Sequence, residues 1–170
     1  MKKIVFIITA LLLSACTGMP VGVTPVKDFE LNRYLGKWYE IARLDHRFER
    51  GLEQVSAEYS LNPDGSVKVV NSGYSTRDQQ WQQSVGKAKF VQDQSTGHLK
   101  VSFFGPFYGS YVVFELDKQG YQYAFVSGPD LSYLWLLSRQ KTVTPAVKAR
   151  FMQRAKDIGF NTDSLIFVKQ

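Results

Sequence analysis

Few side chains in this 170-residue sequence are of the types that carry out chemistry. There is one cysteine, Cys16, and there are two histidines, His46 and His98, which stand far apart without the spacing of metal ligands. A single thiol allows neither an intrachain disulfide nor a zinc site built on thiolates. We find no arrangement of serine, histidine and aspartate typical of nucleophilic catalysis. The sequence therefore predicts no catalytic residues, no metal site and no cofactor.

Cys16 ends a segment with the composition of a signal peptide. Lys2 and Lys3 precede the apolar run 4–13, which at ten residues is too short to span a bilayer. The run ends in Leu13-Ser14-Ala15-Cys16, which resembles the bacterial lipobox, where small residues precede a cysteine that accepts a lipid. We expect residues 1–15 to be removed as a signal peptide. Cys16 would then be the first residue and carry diacylglycerol and palmitate-type chains as a membrane anchor.

The residues after Cys16 indicate where the mature chain resides and how it is divided. Thr17 stands where an aspartate in this class of lipoprotein often means retention in the inner membrane, so it implies the outer membrane and a chain facing the periplasm. Residues 16–28 contain glycine and proline without periodicity and predict a tether. Residues 29–170 have the length of one domain. Their basic residues form no cluster with stacking aromatics, so we expect no nucleic-acid partner.

The remaining sequence predicts an all-β fold of eight strands. Short runs rich in aromatic and β-branched residues alternate with turn residues, which indicates an up-and-down antiparallel barrel or a sandwich. The predicted strands are 37–45, 53–61, 66–74, 81–91, 98–104, 110–117, 121–127 and 132–139. Thr144 as N-cap, Pro145 and Gly159 then predict one C-terminal α-helix, packed outside the sheet by an apolar stripe. A final short strand is predicted at 165–168.

The connections differ in character between the two ends of the predicted barrel. The links 62–65, 92–97 and 117–120 are short and polar, whereas 45–52, 75–80, 105–109 and 128–131 are longer, aromatic or basic. In a meander the two sets fall at opposite ends. The sequence therefore predicts a cup with one closed end, and eight strands can enclose one small ligand.

Three positions resemble the signatures of the lipocalin family. Gly36 and Trp38 open the first strand, Asp117 lies at the sixth turn, and Arg139 ends the eighth strand. In that family the tryptophan plugs the closed end and the arginine stacks on it. The second signature departs here, because Leu116-Asp117-Lys118 replaces the usual Thr-Asp-Tyr. The resemblance implies the eight-stranded lipocalin barrel with its external helix.

Longer stretches are similar to the bacterial outer-membrane lipoproteins of that family, which are themselves similar to apolipoprotein D. These stretches are 38–43, 45–51 and 103–109. The resemblance implies storage or transport of fatty acids or lysophospholipids and a role in envelope maintenance. Two alternatives stay open: a structural or interaction lipoprotein with a filled barrel, and a lipocalin-type enzyme that uses the inward-facing Glu40.

Strand parity and the family pattern together predict the ligand contacts. On the sixth strand Tyr111 and Val113 compete with Val112 and Phe114 for the inner face, and family parity favours the first pair. Arg47 and Arg50 are expected at the rim, where a head group could meet them. Phe107 and Tyr108 predict a patch for a membrane or for a second copy in a homodimer, or a loop folded over the barrel. The predicted contacts are Val55, Ala57, Tyr59, Ala88, Phe90, Val101, Phe103, Tyr111, Val113, Tyr133 and Trp135.

The substitution Cys16→Ser tests the predicted anchor. Because serine offers no thiol for the lipid, we expect an uncleaved precursor or a soluble periplasmic protein, with the barrel still folded. Fractionation of the cell envelope with a far-UV circular dichroism spectrum of the released protein measures both. A variant that loses the whole signal peptide and remains integral to the outer membrane would show that the anchor is elsewhere.

Overall fold

A computed structural model describes residues 17–170, and the predicted signal peptide and Cys16 lie outside the described residues. Within 17–170, nine strands and two helices make up the regular structure, with one 3₁₀ turn at Thr162–Ser164. The helices are α1 (Leu31–Tyr34) and α2 (Pro145–Ile158). The strands are β1 (Gly36–Leu44), β2 (Leu52–Leu61), β3 (Val67–Ser75), β4 (Gln80–Phe90), β5 (His98–Phe104), β6 (Phe107–Leu116), β7 (Tyr123–Ser127), β8 (Leu134–Ser138) and β9 (Leu165–Phe167).

Strands β1 to β8 form a closed antiparallel barrel. Strands β2 to β8 pair in chain order, and β1 pairs with both β2 and β8. The predicted eight-stranded up-and-down barrel is therefore confirmed. Strands β7 and β8 are shorter than predicted: Tyr121 adopts a left-handed φ of 51°, and Gly128 begins a turn by donating to the Tyr133 carbonyl at 3.1 Å.

Strand β1 changes its partner halfway along its length. Its first half pairs with β2, whereas Ala42 to Leu44 pair with β9. Gln54, in β2, has a left-handed φ of 51° and donates to the Lys169 carbonyl at 2.7 Å. The C-terminal segment therefore fills the gap that opens between β1 and β2 toward the open end of the barrel, where the connections 45–51, 76–79, 105–106 and 128–133 lie.

Trp38 and Arg139 seal the opposite, closed end. Trp38 is fully buried, and the guanidinium of Arg139 lies 4.0 Å from its ring centroid. Arg139 donates to the carbonyls of Arg33, Leu35, Lys37 and Tyr121 at 2.7 to 3.3 Å. One side chain therefore ties α1, β1 and the turn after β6 to the plug.

Gly36 is required beside this arginine. Its φ of +90° is strained for any residue with a Cβ, and a Cβ there would lie 3.5 Å from Arg139 Nη1. Asp117 holds the adjacent turn, because its carboxylate accepts from the backbone of Gly120 and of Gln122, each at 3.2 Å. The residues quoted for the family resemblance thus lie together at one end of the barrel.

Helix α2 covers one side of the barrel exterior, as predicted. Thr144 Oγ1 accepts from the Val147 amide at 3.3 Å, and Gly159 ends the helix in the left-handed conformation. Phe151 and Ala155 are buried against outward-facing residues of the sheet, with the Phe151 ring 5.1 Å from that of Phe125. The exterior of β2 to β4 is left without this cover.

The segment 17–28 differs from a free tether, because it packs against the outside of the barrel. Val23 is buried, and Val26 donates to the Val113 carbonyl and accepts from the Gly97 amide, both at 2.9 Å. Glycine and proline predict irregular structure, but burial of the Val23 and Val26 side chains still stabilises the packing of this segment on the barrel. Contact with the barrel therefore begins within a few residues of Cys16.

Arg139→Ala is expected to destabilise the barrel by ~1–3 kcal/mol, because the stack on Trp38 is lost and the partly buried hydrogen bonds to Leu35 and Tyr121 lose their donor. Urea unfolding measures the change, and ligand affinity per folded molecule should barely change. Arg154→Ala is the matched control, since Arg154 makes an exposed ion pair with Glu115. Equal unfolding midpoints for the two variants would show that Arg139 does not hold the plug.

Candidate functional site

The barrel interior contains a cavity of about 100 Å³ with a mostly apolar wall. It runs from Leu31, in α1, to Glu49, in the connection after β1. Inward-facing residues of β1 to β6 and β8 supply the wall between these points. The lining residues are Leu31, Tyr34, Glu40, Glu49, Ala57, Tyr59, Val67, Val69, Asn71, Ala88, Leu99, Val101, Phe103, Tyr111, Trp135 and Leu137.

Phe103 and Gly86 set the width of the cavity beside β4. A Cβ at Gly86 would lie 2.8 Å from two ring atoms of Phe103, so only glycine lets this ring lie against the strand. Ala57 and Ala88 contribute small side chains to the same interior. The cavity exists because these three positions carry little or no side chain, while Phe103 fills part of the space they leave.

Three tyrosines meet inside the cavity. The hydroxyl of Tyr111 lies 2.7 Å from that of Tyr34 and 2.9 Å from that of Tyr59. Burial raises the pKa of all three phenols above the ordinary value, so they stay neutral and can share their protons only with each other or with a ligand. They are the polar group of the inner part of the cavity.

A second polar cluster lies toward the open end. Arg43 donates to Glu40 Oε1 at 2.7 Å and to the Glu49 carbonyl at 2.8 Å, and both Arg43 and Glu40 are buried. His46 Nε2 lies 2.8 Å from Glu49 Oε2, which also accepts from Trp135 Nε1 at 3.1 Å. Two carboxylates that line the cavity are therefore held by one guanidinium, one imidazole and one indole.

The two carboxylates have opposite pKa shifts. Burial, together with the nearby negative charge of Glu49, raises the pKa of Glu40 well above its ordinary value despite Arg43. Burial also acts to raise the pKa of Glu49, but His46, Trp135 and Arg43 together lower it below the ordinary value. The pKa of Glu40 is thus shifted toward the protonated form by burial, whereas the three partners of Glu49 shift the pKa of that carboxyl toward the ionised form.

The structure brings most of the predicted contacts together. Ala57, Tyr59, Ala88, Val101, Phe103, Tyr111 and Trp135 line the cavity. Val55 is buried against the position of Gly73, outside the lining. Phe90 and Val113 pack in the core near the closed end, and Tyr133 is stacked on Trp135 with the ring centroids 6.1 Å apart.

Strand β6 has Tyr111 and Val113 on its inner face, while Val112 and Phe114 join the outer core beneath α2. The alternation does not continue, because the register with β7 shifts between Val113 and Glu115. Glu115 consequently points outward, where it pairs with Arg150 and Arg154. Alternation alone could not have located this bulge.

Apart from Glu40, which is expected to face inward, eight lining residues are absent from the predicted contacts: Leu31, Tyr34, Glu49, Leu99, Leu137, Val67, Val69 and Asn71. The last three share one parity on β3, so the alternation 67, 69, 71 could have found them. Leu31 and Tyr34 lie on the short helix α1, which no periodic pattern indicated. The position of Glu49 follows from its contacts with His46, in the same loop, and with Trp135, which is distant in sequence, and no periodic pattern indicates either contact.

The predicted rim arginines are exposed at the open end. Arg50 forms a two-nitrogen contact with Asp45, the closest at 2.7 Å, whereas Arg47 lies 4.9 Å from the Phe48 ring centroid. Phe48, Phe104 and Phe107 are exposed at the same end. The loop carrying Phe107 is therefore not folded over the barrel.

Residues 17–170 contain no group of three or more His, Cys, Asp or Glu side chains placed to hold a metal ion. Over the same residues, neither helix has the length and apolar character needed to cross a bilayer.

Comparison with known proteins gives concordant results. A family profile described as a lipocalin-like domain matches residues 29–170. The chain is 58% identical over 170 residues to the outer membrane lipoprotein Blc of Vibrio cholerae serotype O1, covering 100% of this chain and 99% of that protein. It is 52% identical over 163 residues to the protein of the same name from Escherichia coli K12, covering 95% and 92%.

Among solved structures, insecticyanin from the tobacco hornworm Manduca sexta superposes with a TM-score of 0.69. The alignment covers 90% of this chain and 87% of that one at 22% identity. At this identity the likeness shows the fold alone.

Glu40→Gln tests the buried cluster through the pH dependence of stability. A carboxyl whose pKa is raised on folding contributes stability that is lost as pH rises from its unfolded pKa, about 4.3, through its folded pKa. The wild-type free energy of unfolding should therefore contain a decline above about pH 4.5 that the variant lacks.

Urea unfolding at a series of pH values measures the difference between variant and wild type. Glu58→Gln is the control, because Glu58 is exposed and its substitution removes the same charge. Parallel pH profiles for Glu40→Gln and the wild type would contradict the raised pKa.

Proposed function

The chain belongs to the lipocalin family, and from that premise we propose that its barrel stores or transports single-chain lipids, fatty acids or lysophospholipids, at the bacterial outer membrane. Proteins of this family bind small hydrophobic molecules. The observation that carries the proposal is the largely apolar cavity enclosed by the strands. The proposed role in envelope maintenance rests on the relatives named outer membrane lipoproteins.

A long acyl chain needs more room than the cavity offers. Sites for drug-sized ligands have volumes of ~300–1,000 Å³, against about 100 Å³ here. Phe103 and Trp135 are only half-buried and line the cavity toward the open end. We propose that their side chains turn to admit the chain, a change that leaves the strand pairing intact.

The polar end of the lipid has two sets of partners in this proposal. At the rim, Arg47 makes no ion pair among the described residues, whereas Arg50 is already paired with Asp45. Arg47 is therefore the better partner for a carboxylate or phosphate. Deeper in, the carboxyl groups of Glu40 and Glu49 line the cavity and offer hydrogen-bond partners for glycerol hydroxyls or an ammonium group.

The proposed location depends on Cys16, which lies outside the described residues. A lipid anchor there would hold the chain at the outer membrane, facing the periplasm. Because packing against the barrel begins shortly after Cys16, the anchor would keep the barrel close to the lipid surface. The exposed rings of Phe104 and Phe107 would suit contact with that surface or with a second copy of the chain.

A second candidate function is a structural or interaction lipoprotein whose barrel holds no ligand. The small volume of the cavity favours it, and the tyrosine hydroxyls and the Glu40 carboxyl already have partners without a ligand. The two candidates differ in whether a lipid enters the barrel.

Lipid titration distinguishes them. Palmitate and palmitoyl-lysophosphatidylethanolamine should bind with micromolar affinity, near −8 kcal/mol, because each buried methylene contributes ~0.8 kcal/mol before the cost of ordering. Dipalmitoyl phospholipid should bind more weakly, since an eight-stranded barrel has room for about one chain. Fluorescence of Trp135, read in a Trp81→Phe background, reports the binding.

Phe103→Asp should abolish binding, because it places a charge in the apolar cavity. Phe104→Asp is the matched control, since Phe104 is the neighbouring residue on β5 and is 70% exposed. Tight binding of the two-chain lipid alone would overturn the choice of ligand, and the absence of all lipid binding would favour the filled barrel.

A further inference from the structure

The outer wall of the barrel carries a groove of about 620 Å³, whose lining residues differ from those of the interior cavity. It lies over β1 to β4, and α2 leaves the last three of these strands uncovered. Its floor residues alternate with the inward-facing residues of the same strands, so the barrel wall separates it from the cavity. The lining is Lys37, Tyr39, Gln54, Ser56, Glu58, Val70, Ser72, Trp81, Gln83, Lys141 and Gln170.

The groove is deep because its floor consists of small residues. Tyr39 pairs with Ser56, Ser56 with Ser72, and Ser72 with Gln83, so these four residues form a row across four strands. Because Ser56 and Ser72 in the middle of the row have small side chains, a trough remains between Tyr39 and Gln83. The side-chain amide of Gln83 donates to Ser72 Oγ at 3.1 Å. Three strand spacings make the row about 14 Å long.

An aromatic ring lies at each end of the trough. Trp81 is 58% exposed, and its indole is supported edge-on by Tyr74 at 5.8 Å. At the other end, Lys37 and Lys141 place their ammonium groups 5.3 and 5.9 Å from the Tyr39 ring centroid. Within residues 17–170 neither lysine has a carboxylate within 4.0 Å. Glu58 pairs with Lys37 in the strand register and lines the same groove, so two ammonium groups face one carboxylate and this end keeps a net positive charge.

Gln170 gives the groove a fixed polar wall beside Tyr39. Its amide nitrogen donates to the carbonyls of Glu40 and Val55 at 2.7 and 2.8 Å. The side chain is therefore ordered before any ligand arrives, which reduces the entropy lost on binding.

We propose that this groove binds a short anionic oligosaccharide. The faces of Trp81 and Tyr39 suit the apolar faces of sugar rings, and the amides and hydroxyls of the floor and walls suit sugar hydroxyls. The lysine pair at Tyr39 is complementary to a carboxylate or phosphate on the terminal sugar. A protein partner is less well matched, because interface centres are apolar and poor in charge, and the closed barrel offers no free strand edge here.

The experiment titrates trigalacturonic acid, with the neutral trisaccharide of N-acetylglucosamine and inorganic phosphate as comparisons. A Trp135→Phe background leaves exposed Trp81 and buried Trp38, so acrylamide quenching reports Trp81. We expect the anionic trisaccharide to bind, to protect Trp81 from quenching, and to exceed the neutral one in affinity.

The affinities of the variants are measured by isothermal titration calorimetry, because Trp81→Ala removes the fluorescent reporter. Trp81→Ala should weaken the binding about tenfold, and Lys141→Ser about threefold to fivefold for the anionic sugar alone. Val85→Ala and Lys89→Ser are the matched controls, since both residues are exposed on β4 outside the groove and should leave affinity unchanged.

Four outcomes would overturn the proposal: no binding of the anionic trisaccharide, equal affinity for the neutral one, equal affinity for phosphate, or a Trp81 already shielded from acrylamide by a dimer. Palmitate binding in the Trp81→Ala variant is measured in parallel by displacement of a fluorescent fatty acid. Because the cavity and the groove lie on opposite faces of the wall, either site can fail while the other binds.

Discussion

The Arg139 guanidinium is the interaction on which the architecture of this barrel depends. It stacks on Trp38 and donates to carbonyls of α1, β1 and the turn after β6, so these three parts of the chain meet at one charge. Without that donor, the carbonyls of Leu35 and Tyr121, whose hydrogen bonds to Arg139 are partly buried, would lose a partner. With the closed end held in this way, the connections at the other end are free to differ in length and composition, and they carry Arg47 and the exposed phenylalanines.

The interior shows how far alternation reaches as a guide to structure. Ala57 and Tyr59 line the cavity because β2 keeps its register with β1 through this stretch, and the same logic would have found Val67 and Val69 on β3. It fails where the period of two is interrupted, as between Val113 and Glu115. Alternation also could not predict Tyr34 or Glu49, because their positions follow from contacts with Tyr111 and Trp135, which are distant in the chain. Local pattern thus predicted the wall, and tertiary contacts determined its polar groups.

Burying those polar groups shapes the chemistry of the cavity. The tyrosine hydroxyls bond to one another, and Arg43 donates to Glu40; a buried charge without such a partner would cost roughly several kcal/mol. The same contacts occupy volume that an apolar lining would leave open. A barrel arranged in this way discriminates by hydrogen bonding as well as by shape, because a ligand must replace contacts that already exist.

The partner exchange along β1 bears on the order in which the fold can be completed. Residues 165–170 stand between β1 and β2 at the open end, joined to Ala42, Gln54 and Val55 by backbone or amide contacts. In β1, the first strand to be synthesised, Ala42 to Leu44 therefore cannot pair along one edge until one of the last segments of the chain is available. Closing so long a loop is entropically costly and slow. A nascent chain stopped before Leu165 would have Trp38 and Arg139 in place at the closed end, and an unfilled gap between β1 and β2 at the open end.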